Sequence, residues 1–250
     1  MWFNACAPVL GVVLTLAVAL PTSSAVAQAA AVAPSGLKAN APMTDMETAW
    51  LLASIPVVAY GKQQGLPLDV VVQPQPTPGL PGMGMAFDAG RCKLVVSMRG
   101  NPQAQALHDR IPPALWEPVV QAIVAHELAH CWRHVHGAWG RLPAGFTSAT
   151  DFSGMKPEDA NLLQGMWRTR REEGFADLVG LAWTLQHHPQ HYTQVHTWLT
   201  ALRSDKVIEG AHHDTRAWVR LAHGATGFGD AAVLFDRVEA MWARGLLSPP

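Results

Sequence analysis

The segment that opens with Pro112 and Pro113 and ends at Gly137 constrains the fold of this 250-residue chain most strongly. Proline is favoured in the first turn of a helix and glycine just after its last turn, so the segment predicts one long helix that ends near His136. Its apolar side chains are Val119, Val120, Ile123, Val124 and Leu128. Because a helix of this composition buries its apolar face, we expect it to lie in the core.

Strand patterns precede this helix and helical patterns follow it. The predicted elements before it are a helix from about Asp45 to Tyr60, capped by Asp45, and strands at Leu68 to Val72, Met83 to Asp88 and Cys92 to Met98. The proline-rich stretch from Gln73 to Gly82 must be a loop. The predicted helices after it are Pro157 to about His187, Tyr192 to Leu202, Thr215 to Leu221 and Asp230 to Arg244. This order predicts an α+β fold, in which a small sheet packs on the central helix and a mainly helical C-terminal part follows.

The N-terminus resembles a targeting segment. The apolar run from Val9 to Leu20 is shorter than the roughly 20 residues of a membrane-spanning helix, and small residues after it offer cleavage sites. Residues 1–29 are therefore predicted to be a signal peptide, 30–44 a disordered linker and 45–250 a single domain. A periplasmic or secreted protein without a stable membrane span after signal removal is expected. Because no Lys or Arg precedes the run, an uncleaved anchor is the alternative.

Charge and cysteine content restrict the partners and the compartment. The net charge of -1 gives no electrostatic basis for binding nucleic acid. Cys6 would leave with the signal peptide, so Cys92 and Cys131 remain as an even pair in an oxidising compartment. A disulfide between them is predicted, and two buried free thiols are the alternative.

The central helix carries the pattern H-E-x-x-H at residues 126–130. Histidines four residues apart lie on one helical face, so the His126 and His130 imidazoles can reach one Zn²⁺ ion. Glu127 lies beside them and can accept a proton from a zinc-activated water, as a general base does. The alternative is a helix with two surface histidines that bind no metal. The apolar residues of the same helix favour burial of both histidines, and buried histidines need polar partners.

A catalytic zinc site needs a third protein ligand and one open position. His136 is one candidate, as in metzincins, but those peptidases have glycine where this chain has Arg133, and an unbroken helix carries His136 about 15 Å along the axis from His126. Glu173 is the other candidate, and Asp177 shares its face of the next helix. Glu172 competes with Glu173, and a solvated acidic helix face is the alternative for all three carboxylates.

The H-E-x-x-H pattern and the E-x-x-A-D form at residues 173–177 together resemble the gluzincin type of zincin metallopeptidase, including the minigluzincins. The resemblance covers about Cys92 to Asp177. It implies a zincin-like domain in which Glu173 is the third zinc ligand and Asp177 orients a ligand histidine. It also implies that a strand near the site, here Lys93 to Met98, is an edge to which an extended peptide substrate adds.

The implied function is hydrolysis of peptide bonds in a peptide or protein substrate. In gluzincins a downstream His or Tyr stabilises the oxyanion, and His213, in preference to His212, occupies a comparable late position. The alternative for this segment is a helix N-terminus capped by Asp214. For the whole chain, a catalytically inactive zinc-binding or envelope-interaction module and a non-haem or di-iron carboxylate protein are the competing hypotheses.

Overall fold

The structure is a computed structural model that describes residues 42–73, 80–146, 153–205 and 207–247. The predicted signal peptide, nearly all of the predicted linker and residues 74–79 of the predicted loop lie outside the described residues. The helices are α1 Asp45–Gln63, α2 Pro102–Asp109, α3 Trp116–Val135, α4 Pro157–His187, α5 Tyr192–Ser204, α6 Arg216–Leu221 and α7 Glu239–Leu246; the strands are β1 Leu68–Val72, β2 Met83–Asp88 and β3 Arg91–Val96. The predicted α+β class is confirmed.

The sheet has the strand order β1-β3-β2, with β1 parallel and β2 antiparallel to β3. A two-residue turn, Ala89-Gly90, joins β2 to β3, and both residues have positive φ, as tight hairpin turns require. The expectation that the strand from Lys93 to Met98 is an edge was wrong, because β3 pairs with a neighbour on each side. The strand edge that borders α3 belongs to β2.

Helix α3 lies at the centre of the core, as its apolar pattern predicts. Val119, Val120, Val124 and Leu128 are buried, and α3 packs against α1, α4 and β2. Helix α4 approaches α3 very closely at Gly180, where a Cβ atom would lie 2.7 Å from the carbonyl oxygen of Ala122. The absence of a side chain at this position therefore sets the distance between the two helices.

Several predicted element ends differ from the observed ones. Thr44, not Asp45, caps α1, because the Thr44 hydroxyl and the Glu47 carboxylate form a reciprocal capping box. Helix α2 was not predicted from the sequence, and the Asn101 side chain caps its first turn. Helix α3 begins after a short 3-10 turn at Pro113–Leu115, and the predicted helix from Asp230 is regular only over α7.

A disulfide joins Cys92 of β3 to Cys131 of α3, with their Cα atoms 5.7 Å apart. Both residues are fully buried, and Cys131 directly follows His130 in the chain. The bridge therefore ties the sheet to the part of α3 that carries the second histidine. It closes a loop with a sequence separation of 39 residues.

Replacing both bridged cysteines by alanine is expected to lower the free energy of unfolding by about 4 kcal/mol, since a bridge over a loop of this length restricts the unfolded chain. Urea denaturation of the double variant and of the wild-type protein measures the difference. Dithiothreitol should lower the wild-type midpoint and leave that of the variant unchanged. Equal midpoints for the two proteins under oxidising conditions would contradict the expected contribution of the bridge.

The described residues also bear on membrane insertion. Across 42–73, 80–146, 153–205 and 207–247, none of the helices combines the length and the apolar character that spanning a bilayer requires.

Candidate metal centre

Two histidines of α3 and one glutamate of α4 converge on one point. The Nε2 atoms of His126 and His130 are 3.2 Å apart, as their four-residue spacing on one helical face allows. Oε2 of Glu173 lies 3.4 Å from Nε2 of His126, and Oε1 of the same carboxylate lies 3.4 Å from Nε2 of His130. One ligand atom from each of the three side chains lies within 4.8 Å of the others, close enough to hold a metal ion.

The close approach of α4 explains why Glu173 reaches α3. Glu173, Asp177 and Gly180 are spaced by four and three residues, so they share one helical face. Because Gly180 brings that face against α3, the two carboxylates of the same face are buried beside the histidines. A local sequence pattern and one close helix contact together produce the cluster.

The distances and the donor atoms fit a small cation. Ligand atoms placed about 2.0–2.1 Å from a tetrahedral centre are separated by roughly 3.3–3.4 Å. The distance between the two Nε2 atoms, 3.2 Å, and the distance from each Nε2 atom to its nearer Glu173 oxygen, 3.4 Å, are close to this value. Nδ1 of His126 bonds to Asp177, so in the neutral ring its Nε2 is a lone-pair atom that faces another acceptor, the Glu173 carboxylate. Acceptor atoms that face one another in this way attract a positive charge.

The pKa shifts of His126 and Glu173 also indicate that the cluster attracts a positive charge. Burial alone would lower the pKa of His126, but its hydrogen bonds with the Asp177 and Glu173 carboxylates outweigh burial and raise that pKa to about 10. Burial alone would raise the pKa of Glu173, but hydrogen bonds from both histidines hold it well below its usual range. The cluster therefore stabilises positive charge between the side chains.

Asp177 lies behind His126 and has a full set of partners. Its Oδ1 atom is 2.9 Å from Nδ1 of His126 and accepts a hydrogen bond of 2.6 Å from the Arg203 guanidinium. Its Oδ2 atom accepts from Nε of Arg203 at 2.8 Å and from the Thr215 hydroxyl at 2.5 Å. Burial would raise the pKa of Asp177, but the Arg203 charge and these hydrogen bonds hold it well below its usual range. The ionised carboxylate fixes the orientation of the His126 ring.

Arg203 and Thr215 were missed by the sequence analysis. A buried ionised carboxylate needs partners, which is a signal that some cation must lie near Asp177. The sequence does not identify these partners, because they lie on other elements: Arg203 is in α5, and Thr215 is in the turn before α6. Arg203 also lies 3.7 Å from Oε2 of Glu173, so one guanidinium contacts both carboxylates of α4.

Glu127 lies next to the cluster without belonging to it. Its carboxylate accepts a hydrogen bond from the backbone N–H of Met85 in β2, and burial raises its pKa above the ordinary value. The side chain is half-buried between α3 and the edge of β2. A carboxylate with a raised pKa that is not a metal ligand suits a group that exchanges a proton.

The structure brings His213 to the rim of the cluster. Its Nε2 atom is 3.7 Å from Oε2 of Glu173, and the side chain is 61% exposed. The alternative that Asp214 caps a helix is wrong, because Thr215 takes the cap position of α6. The Asp214 carboxylate instead accepts hydrogen bonds from the backbone N–H of Gly210 in the preceding turn and from the side chain of Arg216, the first residue of α6. The bond between Thr215 and Asp177 anchors this turn and so places His213.

The competing ligand candidates lie elsewhere. Glu172 is buried against Arg133, with a 2.5 Å contact to its Nε atom, and accepts from the backbone N–H of Gly140. His136 follows the last turn of α3, where its ring packs on Trp132 and is exposed. The alternative of a solvated acidic face on α4 is also wrong, because Glu172, Glu173 and Asp177 are all buried.

The arrangement combines a three-ligand cluster, a buried ionised carboxylate behind one histidine and a half-buried carboxylate beside it. In the part of the chain that the structure describes, His126, His130 and Glu173 are the one group of three such side chains that could share an ion. No protein-family model matches the chain, and neither does any curated protein or any solved structure.

Proposed function

We propose that the protein is an exported, zinc-dependent metallopeptidase of the zincin type that hydrolyses peptide bonds in peptide or protein substrates. The observation that carries the proposal is the convergence of His126, His130 and Glu173 on one point, with Glu127 beside it on the same helix. Two imidazoles and one carboxylate form the set that zinc peptidases use when they keep one coordination position open. Zinc is therefore the ion that these residues suit best.

Each residue of the site has a separate role in the proposed hydrolysis. When bound, zinc supplies Lewis acidity and lowers the pKa of a water molecule toward about 7. Glu127 takes the proton from the attacking water and passes it to the leaving amine, a task that the raised pKa of its half-buried carboxylate favours. Asp177 and Arg203 hold His126 and Glu173 in position, and His213 is placed to donate a hydrogen bond to the oxyanion.

The edge of β2 is the proposed binding strand for an extended substrate. The backbone N–H of Ser97 bonds to the carbonyl of Gly82, so in this register the hydrogen-bonded pairs with β3 fall at alternate residues. The backbone groups of Met85 and Phe87 consequently point away from β3, and the Met85 N–H reaches Glu127. An extended peptide that pairs with this edge would pass directly over the cluster.

Metal analysis combined with an activity assay tests the proposal. We expect about one zinc ion per purified chain, and hydrolysis of a reduced and alkylated, unfolded protein that stops when 1,10-phenanthroline removes the metal. Adding zinc back should restore the rate. A variant with alanine at both His126 and His130 is the control, and it should hold no zinc and show no hydrolysis.

Two outcomes would contradict the proposal. Hydrolysis that is insensitive to the chelator would assign the activity to another site. Stoichiometric iron in place of zinc would favour the non-haem iron hypothesis.

A further inference from the structure

A large aromatic side chain lies at the edge of the metal centre, and the proposed hydrolysis does not use it. The Trp139 ring contacts the ring of His130 edge-on, with centroids 5.5 Å apart. It also lies 6.1 Å from the ring of Phe87, near the end of β2. Trp139 nevertheless remains 36% exposed. An indole that packs against a proposed ligand and still faces solvent is positioned to contact whatever binds at the site.

The loop that carries Trp139 is fixed by hydrogen bonds to Arg133 of α3 and Glu172 of α4. The guanidinium of Arg133 donates hydrogen bonds to the carbonyls of Ala138 and Arg141, and the backbone N–H of Trp139 bonds back to the carbonyl of Arg133. Glu172 neutralises Arg133 and also accepts from the N–H of Gly140. The loop is thereby bonded to both α3 and α4. Because Trp139 is fixed in advance, a partner that covers its ring does not have to order it.

Phe87 provides the second aromatic surface. Its ring stacks on His134 of α3 with centroids 3.9 Å apart, so it is held against the helix and only partly buried. Trp139, which contacts His130, and Phe87, which contacts His134, are here named the aromatic wall, and they lie near the end of the β2 edge. A peptide that pairs with β2 over the cluster would bring a side chain against this wall.

We propose that the aromatic wall is a subsite for a large apolar or aromatic side chain next to the scissile bond. This proposal rests on the proposed peptidase function. Side chains of this kind are mostly buried in folded proteins and exposed in unfolded ones. The substrate class is therefore an unfolded or extended protein segment that carries an aromatic or large aliphatic residue.

A pair of peptide hydroxamates tests the subsite through binding alone. The two compounds carry the same zinc-binding hydroxamate and differ in the side chain beside it, which is benzyl in one and methyl in the other. Isothermal titration of the zinc-loaded protein should show the benzyl compound binding about 10- to 100-fold more tightly, as burial of a large apolar side chain predicts. Trp139→Ala should reduce that ratio to below about threefold, and Trp139→Phe should restore part of it.

Leu162→Ala is the matched control, since Leu162 is 64% exposed and lies about 16 Å along α4 from Glu173. It should keep the wild-type ratio. A zinc-loaded wild-type protein that binds both compounds equally, or a Trp139→Ala variant that keeps the full preference, would overturn the subsite and leave the peptidase proposal standing. A purified protein that holds no zinc would overturn both, and elemental analysis before each titration separates the two cases.

Discussion

Replacing Glu127 by glutamine is expected to lower the rate of peptide hydrolysis by about 10²–10⁴-fold while the zinc content stays at the wild-type level. The amide has the size of the carboxylate and still offers an oxygen to the Met85 N–H, so the local packing should persist. It cannot accept a proton from water. Because Glu127 is outside the three-ligand cluster, the loss should affect turnover alone.

Initial rates on an unfolded protein substrate, measured together with zinc content, check this result. Glu117→Gln is the matched control, because Glu117 lies in the first turn of the same helix and outside the metal centre. Its carboxylate accepts a hydrogen bond from the Gln121 side chain. It should hydrolyse at the wild-type rate. An unchanged rate for Glu127→Gln would exclude Glu127 as the general base. Zinc-containing proteins that all fail to hydrolyse any peptide would favour the inactive zinc-binding module.

Replacing Glu173 by alanine is expected to weaken zinc binding by more than about 100-fold, which exceeds the effect of losing a residue that only supports a ligand. The substitution removes the one carboxylate that faces both Nε2 atoms. It leaves His126 bonded to Asp177, and Asp177 bonded to Arg203, so the arrangement behind the cluster is retained. Competition with a fluorescent zinc chelator measures the change in affinity.

Glu158→Ala serves as the control for this experiment, since Glu158 is an exposed glutamate in the first turn of the same helix. It should bind zinc like the wild-type protein. Circular dichroism of each variant shows whether α4 is retained. A folded Glu173→Ala variant with wild-type zinc affinity would exclude Glu173 as a ligand, and the peptidase proposal would then lose its third ligand.

The sequence predicted much of the fold around the candidate site because helical periodicity is a local property. The spacing of His126 and His130 on α3, and of Glu173 and Asp177 on α4, places each pair on one face whatever the rest of the chain does. The bounds of β1 and β2 were also predicted from short apolar runs between turn residues. The cap of α1 was assigned to Asp45 in place of Thr44, because acidic residues suit several positions near a helix start, and α2 was not predicted.

The edge strand of the sheet was predicted wrongly, since the family resemblance implied that the strand from Lys93 to Met98 is an edge and β3 lies between β1 and β2. Local patterns identify β3 as a strand, but they do not say which strands pair on its two sides. Strand pairing depends on the paths of the loops that connect the strands. In the structure β3 is the central strand, and the free edge beside α3 belongs to β2. The proposed substrate strand changed with it.

The sequence by itself determined the α+β class, the central helix and two pairs of polar residues at helical spacing. Only the tertiary structure decided that these pairs meet, through the close contact of α4 with α3 at Gly180. It also decided that Arg203 bonds to Asp177 and that Trp139 stands beside His130. The physical reason is that spacing along one helix follows from the geometry of a single turn. Contacts between helices depend instead on side-chain volumes and loop paths that are distant in the sequence.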